Sequence, residues 1–177
     1  SVVSNTTATY TGIQLTSSHG TNTVALNKVN LTSTGDGITI NGVNSESSLP
    51  GLCKVYNNMS SVVSGSAFTL STNRRLQFVY NTGYSAGTTA SSHHAIKLFG
   101  GDSITVQNNI GVANAGRAYS ETFYIPIVNG DYNNYYTNGT ELAYRANTPY
   151  ADLASWQAGT NLDSNSLSIN PLFVSIS

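Results

Sequence analysis

The chain has 177 residues, the length of one domain, and a formal net charge of −1 with only 8% of its residues charged. That balance gives no electrostatic footprint for nucleic acid or for an anionic membrane surface. A hydrophobic share of 39% argues against disorder, and a single cysteine, Cys53, excludes an internal disulfide and a Cys-based zinc cluster.

The first clear element is "GIQL" at 12–15, which alternates apolar and polar residues as a strand with one buried face does. "GITI" at 37–40, "AFTL" at 67–70 and "AIKL" at 95–98 repeat it, each opened by Gly or Ala. A polar stretch follows each, then a second strand-like run: "VALN" at 24–27, "CKVYN" at 53–57, "LQFVYN" at 76–81 and "ITVQN" at 104–108. Leu52 and Val55 beside Cys53 mark its thiol as a small buried group.

The second runs end on Asn27, Asn57, Asn81 and Asn108, with Asn133 in "DYNNY" continuing the series at intervals of 24 to 30 residues. That is a solenoid interval, stretched by insertions such as "NSESSLPG" at 44–51 and "SAGTTASSHH" at 85–94. No amphipathic helix joins the strands, so a sheet with crossover helices is excluded. Asn41-Gly42, Asn129-Gly130 and Asn138-Gly139 suit hairpins, but a sandwich has no need of the same Asn in every unit. A solenoid does, because equivalent residues of successive coils stack about 4.8 Å apart. The expected fold is all-β, a parallel β-solenoid of about five to six coils. The first Asn of each pair (Asn57, Asn108, Asn133) aligns with Asn27 and Asn81, and these five are expected to form a structural ladder.

From residue 148 the pattern changes. "TPYADLASWQAG" at 148–159 is the helix candidate, with Pro149 early in the helix and Gly159 at its stop. "NSLSINPLFVS" at 165–175 reads as a last alternating strand. Residues 1–147 are therefore assigned to coils and 148–177 to a cap of the same domain, with Trp156 plugging the final coil, since a solenoid must cover its terminal core. No comparable cap is visible at the N-terminus.

"LASWQA" followed by "DSNSLSINPLFV", together with "GDSITVQNNIGVANAG" and "NGDYNNYYTNGTELAY", resembles the end of secreted bacterial right-handed parallel β-helix repeat proteins of the pectate-lyase-like superfamily. The resemblance covers about 100–177; residues 12–99 match only as generic coils. It implies a coil of three parallel strands with right-handed winding, an Asn ladder in one turn, and an extracellular or cell-surface setting, often within a longer polypeptide.

The superfamily includes glycosidases and polysaccharide lyases. Hydrolysis by paired carboxylates needs two acids roughly 5–9.5 Å apart. Asp36, Glu46, Asp102, Glu121 and Asp131 are scattered through the coil region without an Asp-Asp pair. A lyase needs a Lys or Arg base and a cation to neutralise the uronate carboxylate. Lys97 and Arg117 are the base-and-clamp candidates; Ca²⁺ enters only with that reading, and no cofactor is expected otherwise. His93 and His94 lack a third metal ligand. Tyr132, Tyr135, Tyr136 and Tyr144 offer faces to sugar rings. The expectation is an extracellular structural or adhesive module with a polysaccharide or cell-surface glycan as partner, without nucleic acid and without a membrane span. The alternatives are a lyase fragment acting on acidic polysaccharide, and a solenoid that stacks head-to-tail through its uncapped N-terminal coil or continues into missing N-terminal coils.

Overall fold

A computed structural model describes residues 2–4, 9–44, 51–123 and 127–173; Glu46 lies outside them. In chain order the strands are β1 (Val2–Ser4), β2 (Tyr10–Thr16), β3 (Asn22–Ala25), β4 (Lys28–Asn41), β5 (Cys53–Tyr56), β6 (Met59–Ser64), β7 (Ser66–Val79) and β8 (Thr82–Ser85). They continue as β9 (His94–Gln107), β10 (Ile110–Ala113), β11 (Arg117–Glu121), β12 (Ile127–Asp131), β13 (Asn134–Thr137), β14 (Ala143–Arg145) and β15 (Thr148–Tyr150), followed by helix α1 (Leu153–Thr160). Together they form a parallel β-solenoid of about five turns.

Three faces enclose the core. On the first, β2 lies beside the second half of β4, then the first half of β7, the first half of β9, then β11 and β14. Strand alternation turns Ile13, Ile38, Phe68, Ile96 and Tyr119 inward as one stacked column. The second face stacks β3, β5, the second halves of β7 and β9, and β12. The third stacks the first half of β4 with β6, β8, β10 and β13. Burying each Ile, Leu or Phe in such a column contributes about 1.5–3 kcal/mol. The inward row of the third face runs Val29, Ser60, Gly83, Gly111 and Tyr135, and its two glycine coils leave little room for a side chain. A Cβ on Gly83 would lie 2.9 Å from the Ala95 carbonyl oxygen and 3.1 Å from the Phe68 ring, and Gly111 occupies the same position one coil on. Cys53 is fully buried, and burial pushes its thiol pKa up to about 11, as a packing group rather than a nucleophile.

The corner after the second face sets the ladder. Leu26, Asn57, Tyr80, Asn108 and Tyr132 all have left-handed backbone, with φ of 59°, 53°, 56°, 55° and 57°. The residue after each turns its side chain into the ladder, so the rungs are Asn27, Asn58, Asn81, Asn109 and Asn133. This corrects the expected series at two places: Asn57 and Asn108 are exposed corner residues, and the second Asn of each of those pairs is the rung. Each internal rung amide donates to the Oδ1 of the next rung, at 2.9–3.2 Å, and to a carbonyl of the preceding coil. The corrected intervals are 31, 23, 28 and 24 residues. Left-handed backbone costs an ordinary L-residue roughly 1–2 kcal/mol and Asn less, so Leu and Tyr at this corner are disfavoured locally.

The ladder ends at the cap. Asn133 donates its amide to Asp163 Oδ1 at 2.8 Å, its backbone N–H bonds Ser166 Oγ, and Trp156 donates its indole N–H to Asp163 Oδ2 at 2.8 Å. Helix α1 starts later than the sequence suggests. Asp152 is the N-cap, in a capping box with Ser155, and Asn161 is the left-handed C-cap. Pro149 lies in β15, which pairs antiparallel with β14, and Gly159 is inside the helix. An edge strand with no further neighbour tolerates the missing N–H of proline. "NSLSINPLFVS" makes no strand over its described part. It forms one parallel bridge, Asn134 with Leu167, and then crosses the third face as irregular chain.

Candidate functional groove

The outer surface of the third face carries two rows in register. Asn30, Ser61, Tyr84, Val112 and Tyr136 form one, and Lys28, Met59, Thr82, Ile110 and Asn134 the other. The C-terminal segment lies outside them. Asn134 fixes it by donating its side-chain amide to the Ile169 carbonyl (2.9 Å) and accepting the Ile169 N–H (3.0 Å). Further on, Phe173 meets Tyr84 edge to face, with ring centroids 6.3 Å apart. Between this segment and the sheet runs a groove of about 670 Å³, lined by Tyr84 and Tyr136, with Asn30, Asn114 and Asn138 as amides and Lys28 from the start of the second row. Tyr136 donates its hydroxyl to Asn138 Oδ1 at 2.8 Å, which orients the ring. Tyr84 and Tyr136 share a row two coils apart, a separation of about 9.6 Å at strand spacing.

Of the four tyrosines suggested by the sequence, Tyr136 lines the groove and Tyr132 stands exposed at the ladder corner. Tyr135 is corrected to a core residue: it is 1% exposed and stacked on Tyr119 at 5.1 Å. Tyr144 has one ring face covered by the Arg117 guanidinium, 4.0 Å from its centroid, and its hydroxyl bonds Asn147. Tyr84 was missed because "NTGYS" lies outside the Tyr-rich stretch. The available signal was position: Tyr84 follows rung Asn81 by three residues, as Tyr136 follows rung Asn133.

Lys97 faces outward, in register with Thr69 and Ser120. Arg117 pairs in register with His94, and its guanidinium bonds Glu141 through Nε (2.7 Å) and Nη2 (2.6 Å). That paired guanidinium, already under an aromatic face, is a poor clamp for a substrate carboxylate. The coil acids are engaged likewise. Asp36 accepts from the Ser66 N–H and the Thr69 hydroxyl, and Asp131 from the Tyr132 N–H and from Asn165. Asp102 accepts from Ser103, with Arg74 at 4.0 Å. Glu121 occupies an inward position beyond Leu98, fully buried, accepting the Tyr119 hydroxyl at 2.8 Å and ion-paired with Arg145 at 2.9 Å. Among the described residues no group of three or more His, Cys, Asp or Glu side chains is placed to hold a metal ion, and no helix is long and apolar enough to cross a membrane.

The two histidines separate. His93 stays in the insertion, its ring bonded to Ser64 and to the Thr89 backbone. His94 begins β9 and is buried; burial, then the charges of Lys97, Arg117 and His93, lower its pKa to about 3. The unfolded chain protonates this imidazole near 6.5 whereas the folded chain resists until about 3, so between those values the unfolded state holds more protons. Stability is expected to fall by about 1.4 kcal/mol per pH unit on acidification through this window, on account of His94. Urea titrations at several pH values check this, and His94→Gln should flatten that part of the profile.

The chain matches no protein-family model, no curated protein and no solved structure. The groove is therefore judged by its own geometry: two aromatic faces at a fixed spacing, neutral amides able to donate and accept, and one cation. Such a surface suits a neutral or weakly acidic polyhydroxylated ligand. Among the described residues that line it there is no nucleophile–base pair and no carboxylate pair.

Proposed function

We propose that the protein is an extracellular structural or adhesive β-solenoid module, of the right-handed β-helix kind its C-terminal motifs resemble, that holds a carbohydrate chain along its third face. The observation that carries this reading is the pair Tyr84 and Tyr136, two coils apart in one amide-rimmed groove. Sugar rings have an apolar C–H face and an equatorial belt of hydroxyls. Tyrosine rings meet the first, and the Asn30, Asn114 and Asn138 amides meet the second. Lys28 extends the match to chains bearing carboxylates. A binding role fits the surroundings better than lyase chemistry, because the guanidinium needed as clamp is bonded to Glu141. Stacking of copies head to tail is disfavoured, because the donor end of the ladder is bonded to Asp163.

Titration calorimetry with soluble oligosaccharides, neutral and uronate-containing, tests the reading. At least one series should bind, and Tyr84→Ala or Tyr136→Ala should weaken it about two- to tenfold, the loss of one stacked ring at roughly 0.5–1.5 kcal/mol. Binding unchanged in both variants, or no binding by any series, contradicts the proposal.

A further inference from the structure

The ladder corner carries a second pattern. Its five left-handed residues stack along the solenoid as Leu26, Asn57, Tyr80, Asn108 and Tyr132, one per coil. Apolar and amide side chains alternate strictly, and all five project into solvent; Leu26 is 79% exposed, Tyr80 60% and Tyr132 57%. Their backbone conformation suits Asn, and two of the five positions have it. Leu and Tyr are held there against both local backbone preference and exposure to water. Neither the core nor the ladder needs them, since the rung is the following residue in every coil.

We infer that this column is a binding track for an extended β-1,4-linked polysaccharide lying along the solenoid axis, an inference that rests on the carbohydrate reading and names its polymer class. Successive coils are about 4.8 Å apart, so Tyr80 and Tyr132 stand about 9.6 Å apart, with Leu26 a further two coils on. In a flat twofold glycan ribbon, every second sugar presents the same face to a surface, at close to this repeat. An apolar side chain every second coil stacks on those sugars. Asn57 and Asn108 fall opposite the intervening ones, where an amide reaches hydroxyls. Helically coiled α-linked glucans do not keep this repeat in line. The groove on the third face is a separate site around the corner, suited to a shorter chain held under the C-terminal segment.

The test separates the column from the groove. Intact protein is equilibrated with microcrystalline cellulose, with chitin and with granular starch, and the bound fraction is measured across protein concentrations. Wild type should bind cellulose or chitin at least tenfold more tightly than starch. The double variant Tyr80→Asn, Tyr132→Asn should lose at least tenfold in that binding. Its urea midpoint should be unchanged or higher, because Asn accepts the left-handed backbone more readily, so misfolding cannot account for the loss. Its binding of soluble oligosaccharides should stay at the wild-type level. Polymer binding within twofold of wild type in the double variant, or equal binding to starch, overturns the track. A wild type that binds soluble oligosaccharides but no polymer overturns the track and leaves the groove reading standing; one that binds neither overturns both.

Discussion

Replacing Asn81 with alanine is expected to destabilise the fold by about 3–5 kcal/mol, a large effect for a polar residue. The side chain is 1% exposed and sits in the middle of the ladder. Its Oδ1 accepts both the backbone N–H and the side-chain amide of Asn58, at 3.1 and 2.9 Å. Its amide donates to the Val55 and Val79 carbonyls and to Asn109 Oδ1. Alanine takes the acceptor from the buried Asn58 backbone N–H and the side-chain donor from the Val55 and Val79 carbonyls, at about 1–3 kcal/mol for each group that stays unpaired, while Asn109 Oδ1 keeps the Asn81 backbone N–H. The same change at Asn27 should cost only about 1 kcal/mol. Among the described residues Asn27 donates to Ala25 and Asn58 and no other rung donates to it, so fewer groups are orphaned. Urea unfolding of the two variants measures the difference; equal costs would mean that the ladder is not cooperative along its length.

Trp156→Ala should be comparably severe, at roughly 4–6 kcal/mol, because it opens the end of the core and strands a carboxylate. Trp156 is fully buried, edge-on to Tyr119 (5.4 Å) and to Tyr150 (5.3 Å). The stack continues through Tyr119 onto Tyr135, so the indole seals a column of aromatic rings. Its N–H also satisfies the buried Asp163, which in turn holds the last rung and Ser166. Trp156→Phe separates the two contributions: it keeps most of the packing and removes the N–H, and should cost about 1–3 kcal/mol. Thermal unfolding of the three proteins reads both numbers. A Phe variant as unstable as the Ala variant would place the cap's strength in the Asp163 bond rather than in packing.

Much of the architecture is written in local patterns. The alternation in "GITI", "AFTL" and "AIKL" places Ile38, Phe68 and Ile96 in one column, and a period-2 signal is enough to predict that. The helix was legible from its composition but not its start. The sequence before it contains Pro149, equally acceptable at a helix N-terminus and on an edge strand, and only pairing with β14 decides between them. The ladder was legible as a recurring Asn and misplaced by one residue at 57–58 and 108–109. Where the corner residue is Leu26, Tyr80 or Tyr132 the rung is unambiguous. Where corner and rung are both Asn, residue type carries no information about which one turns inward. Nor was the burial of Glu121 legible, since its inward position follows from the register of β11 on β9 and its charge is met by Arg145, 24 residues later. The groove stayed hidden because its two tyrosines are 52 residues apart in sequence and come into one row, with Val112 between them, only through two successive coil registers.

The central structural claim is the division of each Asn pair into an exposed corner and a buried rung, because it fixes the register of every coil and therefore which side chains reach the surface. Urea unfolding of Asn58→Ala beside Asn57→Ala tests it most directly. Asn58→Ala should lose about 3–5 kcal/mol, like Asn81→Ala, and Asn57→Ala no more than about 1 kcal/mol, the cost of left-handed backbone for alanine relative to Asn. The reverse order, or equal losses, would contradict the register and with it the placement of the groove and the corner column.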